Sequence, residues 1–190
     1  MMPSTIKFGT DGWRAIIAED YTFANVRVCA QSVANFLKEK RIAGAGLVIG
    51  YDTRFASEDF AAAVAEVAAA NGVPSYLCNK TAPTPAVSYN ILSQHAGGAV
   101  IITASHNPAI WNGFKYKPEY AGSASPEVIE ALEAEIALAQ REEFPMLALP
   151  EARKRGLLRE IEPEPPYLDH ISSLVDLKAI RNSGLRIAVD

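Results

Sequence analysis

Gly98-Ala99-Val100-Ile101-Ile102-Thr103-Ala104-Ser105-His106-Asn107-Pro108 decides how the rest of the chain is read. Five small or apolar residues run without alternation. That is the pattern of a strand buried on both faces, as in a parallel sheet with helices above and below it. The run passes directly into a polar loop closed by Asn-Pro, a turn-initiating pair. Ser105 therefore stands at the carboxyl end of a core strand.

Working outward, the same alternation of strand and helix recurs. Residues 21–41 place Phe23, Val26, Ala30, Val33 and Leu37 on one helical face behind Thr22, a suitable N-cap. Gly44-Ala45-Gly46 breaks the chain, and Leu47-Val48-Ile49-Gly50-Tyr51 reads as another buried strand. Ser57-Glu58-Asp59 is expected to cap an alanine-rich helix that stops at Asn71-Gly72. Ser75 to Cys78 is a short strand, and Thr84-Pro85 opens a third helix. Downstream of the serine, Phe114 to Lys117 reads as a strand. Ser125-Pro126-Glu127 begins a helix that aligns Val128, Leu132 and Ile136. The expected fold is α/β, a three-layer α/β/α sandwich around a mixed, mostly parallel sheet. Ligands of such sheets bind at the carboxyl ends of strands, which directs attention to loops 51–57 and 103–113.

Two stretches read differently. Residues 143–166 carry five prolines among mixed charges and are expected to connect elements, not to join the core. Leu185 to Asp190 alternates apolar and other residues after the stop Asn182-Ser183-Gly184, as a half-buried strand would. It is expected to be the first strand of a further unit, making the 190 residues the N-terminal portion of a larger protein.

Composition narrows the function classes. Apolar residues are 49% and charged residues 21% of 190, the balance of a globular domain and not of a disordered chain. Eighteen basic against 22 acidic side chains give a net charge of −4 without a basic block, which disfavours nucleic acid as partner. No apolar run approaches the roughly 20 residues of a bilayer span. The start of the chain lacks the apolar stretch of a secretory signal, so a cytoplasmic location is the expectation. Cys29 and Cys78 are far apart in apolar surroundings, which suggests two buried reduced thiols. Three histidines and no CxxC leave little basis for a zinc site.

Four polar segments could carry chemistry. Ser105, with His106 beside it, is either a nucleophile presented at a strand end or an ordinary turn serine. Phe8-Gly9-Thr10-Asp11-Gly12-Trp13-Arg14 brackets Thr and Asp with glycines. It offers an anion a close backbone and a guanidinium fork, or is simply a glycine turn with a surface arginine. It matches neither nucleotide-binding glycine motif. Tyr51-Asp52-Thr53-Arg54 places an acid–base pair on the loop after a strand, either to orient a substrate or to tie neighbouring loops. Asn112-Gly113-Phe114-Lys115 brings a lysine onto a strand close to the serine.

Together with Thr84-Pro85-Ala86, these segments in this order resemble the α-D-phosphohexomutase superfamily, the phosphoglucomutase/phosphomannomutase group. The Thr103 to Pro108 segment is the specific element. The Asn-Gly-Phe-Lys form leans toward the glucose and mannose members. The resemblance implies that residues 1–182 are the first of four domains and that residues 183–190 begin the second. It implies that Ser105 carries a phosphoryl group and exchanges it with a hexose phosphate through a hexose 1,6-bisphosphate, moving phosphate between C1 and C6. Arg14, Lys115 and His106 then match catalytic positions, with Lys115 as proton shuttle. Thr10, Asn107 and Asn112 match substrate-binding positions, and Asp11, Asp52 and Arg54 support the site. Mg²⁺ is expected on the phosphate of Ser105. The family's aspartate-rich metal loop, sugar loop and phosphate loop are not among the 190 residues, so Mg²⁺ binding and turnover by this segment alone are expected to be weak. Ala15 and Trp111 depart from the glycine and tyrosine common at those positions, and Trp111 could narrow the cleft. Two other classes are weighed beside this one. A stand-alone, non-catalytic sugar-phosphate-binding or regulatory domain would keep the fold alone. A serine hydrolase is disfavoured because no GxSxG elbow is present.

Overall fold

A computed structural model describes residues 6–9 and 12–189. Thr10, Asp11 and Asp190 lie outside the described residues, and with them the roles expected of Thr10 and Asp11. The elements in chain order are β1 (Trp13–Ile16), α1 (Phe23–Glu39), a single 3-10 turn (Ala43–Ala45), β2 (Leu47–Tyr51), α2 (Ser57–Ala70), β3 (Ser75–Cys78) and α3 (Thr84–Gln94). They continue with β4 (Gly98–Ile102), β5 (Trp111–Pro118), α4 (Pro126–Ala139), α5 (Leu149–Lys154), β6 (Leu158–Ile161), α6 (Glu164–Ser173) and α7 (Leu177–Asn182).

The six strands form one sheet in the order β1-β5-β4-β2-β3-β6. Strands β4, β2, β3 and β6 run parallel, and β5 is antiparallel to both β4 and β1. Connection α2 carries the chain outward from β2 to β3. Connection α3 carries it back past β2 to β4, so right-handed crossovers put α2 and α3 on opposite faces. Helix α1 packs on α2 and α4, and α5 on α2, while α3 packs on α6. The result is the expected three-layer α/β/α sandwich. Every residue of β2 and β4 is buried, as continuous apolar strands covered on both sides must be.

Local chemistry agrees with most of the sequence reading. Thr22 accepts the N–H of Asn25 as N-cap of α1, and Gly72 takes φ +72° after Asn71 closes α2. Ser57 does not cap α2. That place belongs to Ala56 in a left-handed conformation, and the Ser57 hydroxyl turns to Asp52 instead. Trp13 stacks on Tyr21 at 5.0 Å, Tyr21 meets the edge of Phe60, and the Tyr21 hydroxyl donates to the Gly113 carbonyl at 2.8 Å. This aromatic stack seats the edge strand β1 and its neighbour β5 on the core.

Residues 143–166 correct the expectation of a linker. They supply α5, the edge strand β6 and the start of α6. The Leu147 N–H donates to Glu66 of α2 at 3.0 Å, Ala152 is fully buried, and Leu158 and Ile161 close the core. Four of the five prolines mark the starts of helices, where a missing N–H costs no bond: Pro150 stands in the first turn of α5, Pro163 caps α6, and Pro165 and Pro166 stand in its first turn. Residues 185–189 form no strand. Leu185, Ile187 and Val189 are exposed, and residues 185–189 pair with no strand among the described residues. No helix among the described residues is long and apolar enough to cross a membrane.

Two outcomes follow. Ala152→Leu should lower stability by about 2 kcal/mol through overpacking against α2, measured by denaturant unfolding, whereas a linker position would change it by less than about 0.5 kcal/mol. Burial pushes the Cys78 thiol up to about 12 and the Cys29 thiol further still. Both should be inert to a thiol reagent in the folded protein and react once it unfolds. The unfolded chain loses these protons first, so stability should fall as pH rises past the ordinary thiol value, about 8.5.

Candidate active site

Parallel neighbours β2 and β4 end at the same edge with Tyr51 opposite Ile102. Loops 52–56 and 103–110 therefore meet there, and the Asp52 N–H donates to the Ile102 carbonyl at 3.1 Å. An arginine joins the loops. Arg54 Nη1 donates to the carbonyls of Pro108 and Trp111, each at 3.0 Å. Its Nη2 donates to the carbonyls of Ser105 at 2.8 Å and Asn107 at 2.6 Å. Its Nε stands 3.4 Å from Asp52 Oδ2. The planar fork of a guanidinium suits this task, since it points donors in several fixed directions at once.

Asp52 anchors that arginine and is itself anchored. Its Oδ1 accepts the Arg54 N–H at 3.0 Å and the Ser57 hydroxyl at 2.9 Å. Ser57 Oγ accepts from Asn112 Nδ2 at 2.9 Å, and Asn112 Oδ1 accepts the Gly113 N–H at 2.8 Å. The relay thus runs from loop 52–56 through the first residue of α2 to β5. Asn112, expected to bind substrate, is 0% exposed and spends its amide within this relay. Its place in the structure is that of a tie, alongside Asp52 and Arg54. Ser57 belongs to the same relay but reads in the sequence as a helix cap, because the contact with Asn112 spans 55 residues.

Ser105 and His106 are exposed at the loop's crest, with Ser105 Oγ 3.4 Å from His106 Nδ1. Ser105 holds φ +57°, a left-handed conformation that costs a non-glycine residue about 1–2 kcal/mol. Its N–H donates to Thr103 Oγ1 at 2.9 Å, and the Asn107 N–H closes on the Ala104 carbonyl at 3.1 Å. Asn107 also reaches across the sheet edge, where its Oδ1 accepts from Arg14 Nη1 at 2.8 Å.

Arg14 lies on β1 opposite Gly113. A Cβ on Gly113 would stand 3.0 Å from Arg14 Cγ and only 2.6 Å from the Thr103 carbonyl, so the glycine lets the arginine cross β5 toward the serine loop. Lys115, two residues beyond Gly113, projects from the same face by the period of a strand and is 5% exposed. Arg14, Asn107, Ser105 and His106 thus meet at the carboxyl ends of β2 and β4, and Lys115 lies on β5 opposite Ile101 of β4. Two large apolar side chains stand out on the same loops, Phe55 at 76% and Ile110 at 59% exposure, beside a half-buried Trp111. Among the described residues no group of three or more His, Cys, Asp or Glu is placed to hold a metal ion.

Residues 5–143 match the family model described as phosphoglucomutase/phosphomannomutase, alpha/beta/alpha domain I. A phosphoglucomutase of Komagataeibacter xylinus is 29% identical over 97% of this chain and 35% of its own length. A phosphoglucosamine mutase of Acetivibrio thermocellus is 31% identical over 96% of this chain and 39% of its own. Among solved structures, a Thermus thermophilus protein described as a phosphomannomutase superposes with a TM-score of 0.81 at 32% identity, covering 94% of this chain and 38% of that one. The chain spans little more than a third of the length of these relatives.

The grip of Arg54 generates one outcome. Arg54→Lys keeps the charge but cannot reach four carbonyls, so it should cost about 2 kcal/mol in thermal unfolding. It should also open loop 105–111 to proteolysis; an unchanged melting curve and cleavage pattern would show that the loop holds itself.

Proposed function

The chain belongs to the phosphoglucomutase/phosphomannomutase family as its α/β/α domain I, and we propose that within a phosphohexomutase it carries the phosphoryl-bearing residue, Ser105. The relatives are phosphohexomutases, enzymes of the isomerase class in carbohydrate metabolism. The observation that carries the reading is an exposed serine on a left-handed kink, its carbonyl held by Arg54 and its loop contacted by Arg14.

In this reading phosphorylated Ser105 meets a hexose phosphate bearing a free hydroxyl. The hydroxyl oxygen forms a bond to phosphorus as the bond from phosphorus to Ser105 Oγ breaks. The hydroxyl proton passes through Lys115 to Oγ. Serine and a hexose 1,6-bisphosphate result, with atoms and charge conserved. After the bisphosphate reorients, its other phosphate returns to Ser105 by the reverse step, and phosphate has moved between C1 and C6. Such transfer depends on positioning and neutralised charge more than on covalent elaboration. Arg14 supplies positive charge to the phosphoryl oxygens, Asn107 holds Arg14, and His106 flanks Oγ.

Mg²⁺ on the phosphoserine would neutralise developing charge. The described residues offer it no carboxylate cage, so its further ligands would come from elsewhere in the polypeptide, and no step here runs through it. Likewise the clamp that orients the sugar is assigned to the remaining domains, the partners of this one. A cytoplasmic location belongs to the same proposal.

Protein purified from its own cells should carry one phosphoryl group that maps to Ser105 and is absent in Ser105→Ala. The 190 residues alone should interconvert hexose 1- and 6-phosphates at a trace rate at most. A wild-type protein without phosphate at Ser105 would sink the carrier role, and turnover by the short chain that vanishes in Ser105→Ala would sink the dependence on further domains.

A further inference from the structure

Thr103 has no part in the scheme above, yet it controls the backbone on which that scheme stands. It is 6% exposed, just past the end of β4, and its own N–H donates to the Gly113 carbonyl at 2.9 Å. It is thus fixed to β5 before the loop begins. Its Oγ1 accepts the Ser105 N–H at 2.9 Å. On the far side of the same Cα, the Ser105 carbonyl accepts from Arg54 Nη2 at 2.8 Å. The two peptide groups that flank Ser105 are therefore held by two side chains from the loops that follow different strands, β4 and β2. The residue between them sits at φ +57°, which a serine would not keep by itself.

We propose that Thr103 is a positioning residue for Ser105. Its hydroxyl fixes the left-handed backbone that leaves Oγ exposed at the crest of the loop. A β-branched side chain suits the role because its χ1 is stiff, so the oxygen keeps its aim. The catalytic part of this inference rests on the reading of Ser105 as phosphoryl carrier; the conformational part does not.

The test compares Thr103→Val, which keeps the shape and removes the acceptor, with Thr103→Ser, which restores it. Thr103→Ala replaces the valine variant should that one fail to fold. In the 190-residue chain, NMR reads the exchange rate of the Ser105 amide and the backbone carbon shifts that report its left-handed conformation. Exchange should be about tenfold faster in Thr103→Val and near wild type in Thr103→Ser, the loss of roughly one hydrogen bond. In protein purified from its own cells, phosphate on Ser105 should drop several-fold in Thr103→Val and persist in Thr103→Ser. Unchanged exchange and shifts in Thr103→Val would overturn the proposal. So would a serine variant that fails to rescue. Altered exchange with undiminished phosphate would overturn its catalytic part. A wild-type protein without phosphate on Ser105 would instead overturn the carrier reading, and the exchange data alone would then decide the role of Thr103.

Discussion

One guanidinium holds the candidate site in shape. Arg54 takes four main-chain carbonyls of loop 105–111 and is itself held by Asp52. A loop of that length on a sheet edge would otherwise leave its carbonyls to water and its backbone free to sample many conformations, at an entropic cost for any reaction that needs one of them. Partly buried ion pairs of this kind add little net stability, because desolvation offsets much of the attraction. What the pair supplies is a single geometry. The strain at Ser105 persists because the contacts around it leave no other choice.

The second constraint is the antiparallel strand β5. A sheet made only of βαβ units would send the chain from β4 into another helix. Here the chain returns directly along β5 and then finds β1 at the edge. That return places Gly113 opposite Arg14, whose guanidinium reaches Asn107 of the serine loop, and sets Lys115 on the same face of β5, opposite Ile101 of β4. The absent side chain of Gly113 is as necessary to this as the charges, since any Cβ there would meet main chain on two sides.

Legibility in the sequence followed the range of the interactions. The buried strands Leu47 to Tyr51 and Gly98 to Ile102 were readable because burial on both faces writes a continuous apolar run. The cap at Thr22 and the stop at Asn71-Gly72 were readable because their bonds close within a few residues. Strand β6 was not, because only Leu158 and Ile161 face the core and the pattern never alternates. The prolines of 143–166 were ambiguous, since the same residue that breaks a linker also starts a helix. Ser57 was misread for a related reason: a serine at the start of a helix signals a cap, and only its neighbours in space show otherwise.

By itself the sequence determined the layered α/β architecture, the serine at the end of a core strand, and the family through motifs of fixed order. These depend on local periodicity and on residue types that chemistry cannot replace. Only the tertiary structure decided what each polar residue does. It made Asn112 a buried tie where a substrate ligand was expected, turned Arg54 onto four carbonyls, and placed Ser105 in a left-handed conformation that costs a serine about 1–2 kcal/mol. The physical reason is the same in each case. A side chain's type fixes which bonds it can make, and the partner it finds is set by how strands far apart in sequence come to lie side by side.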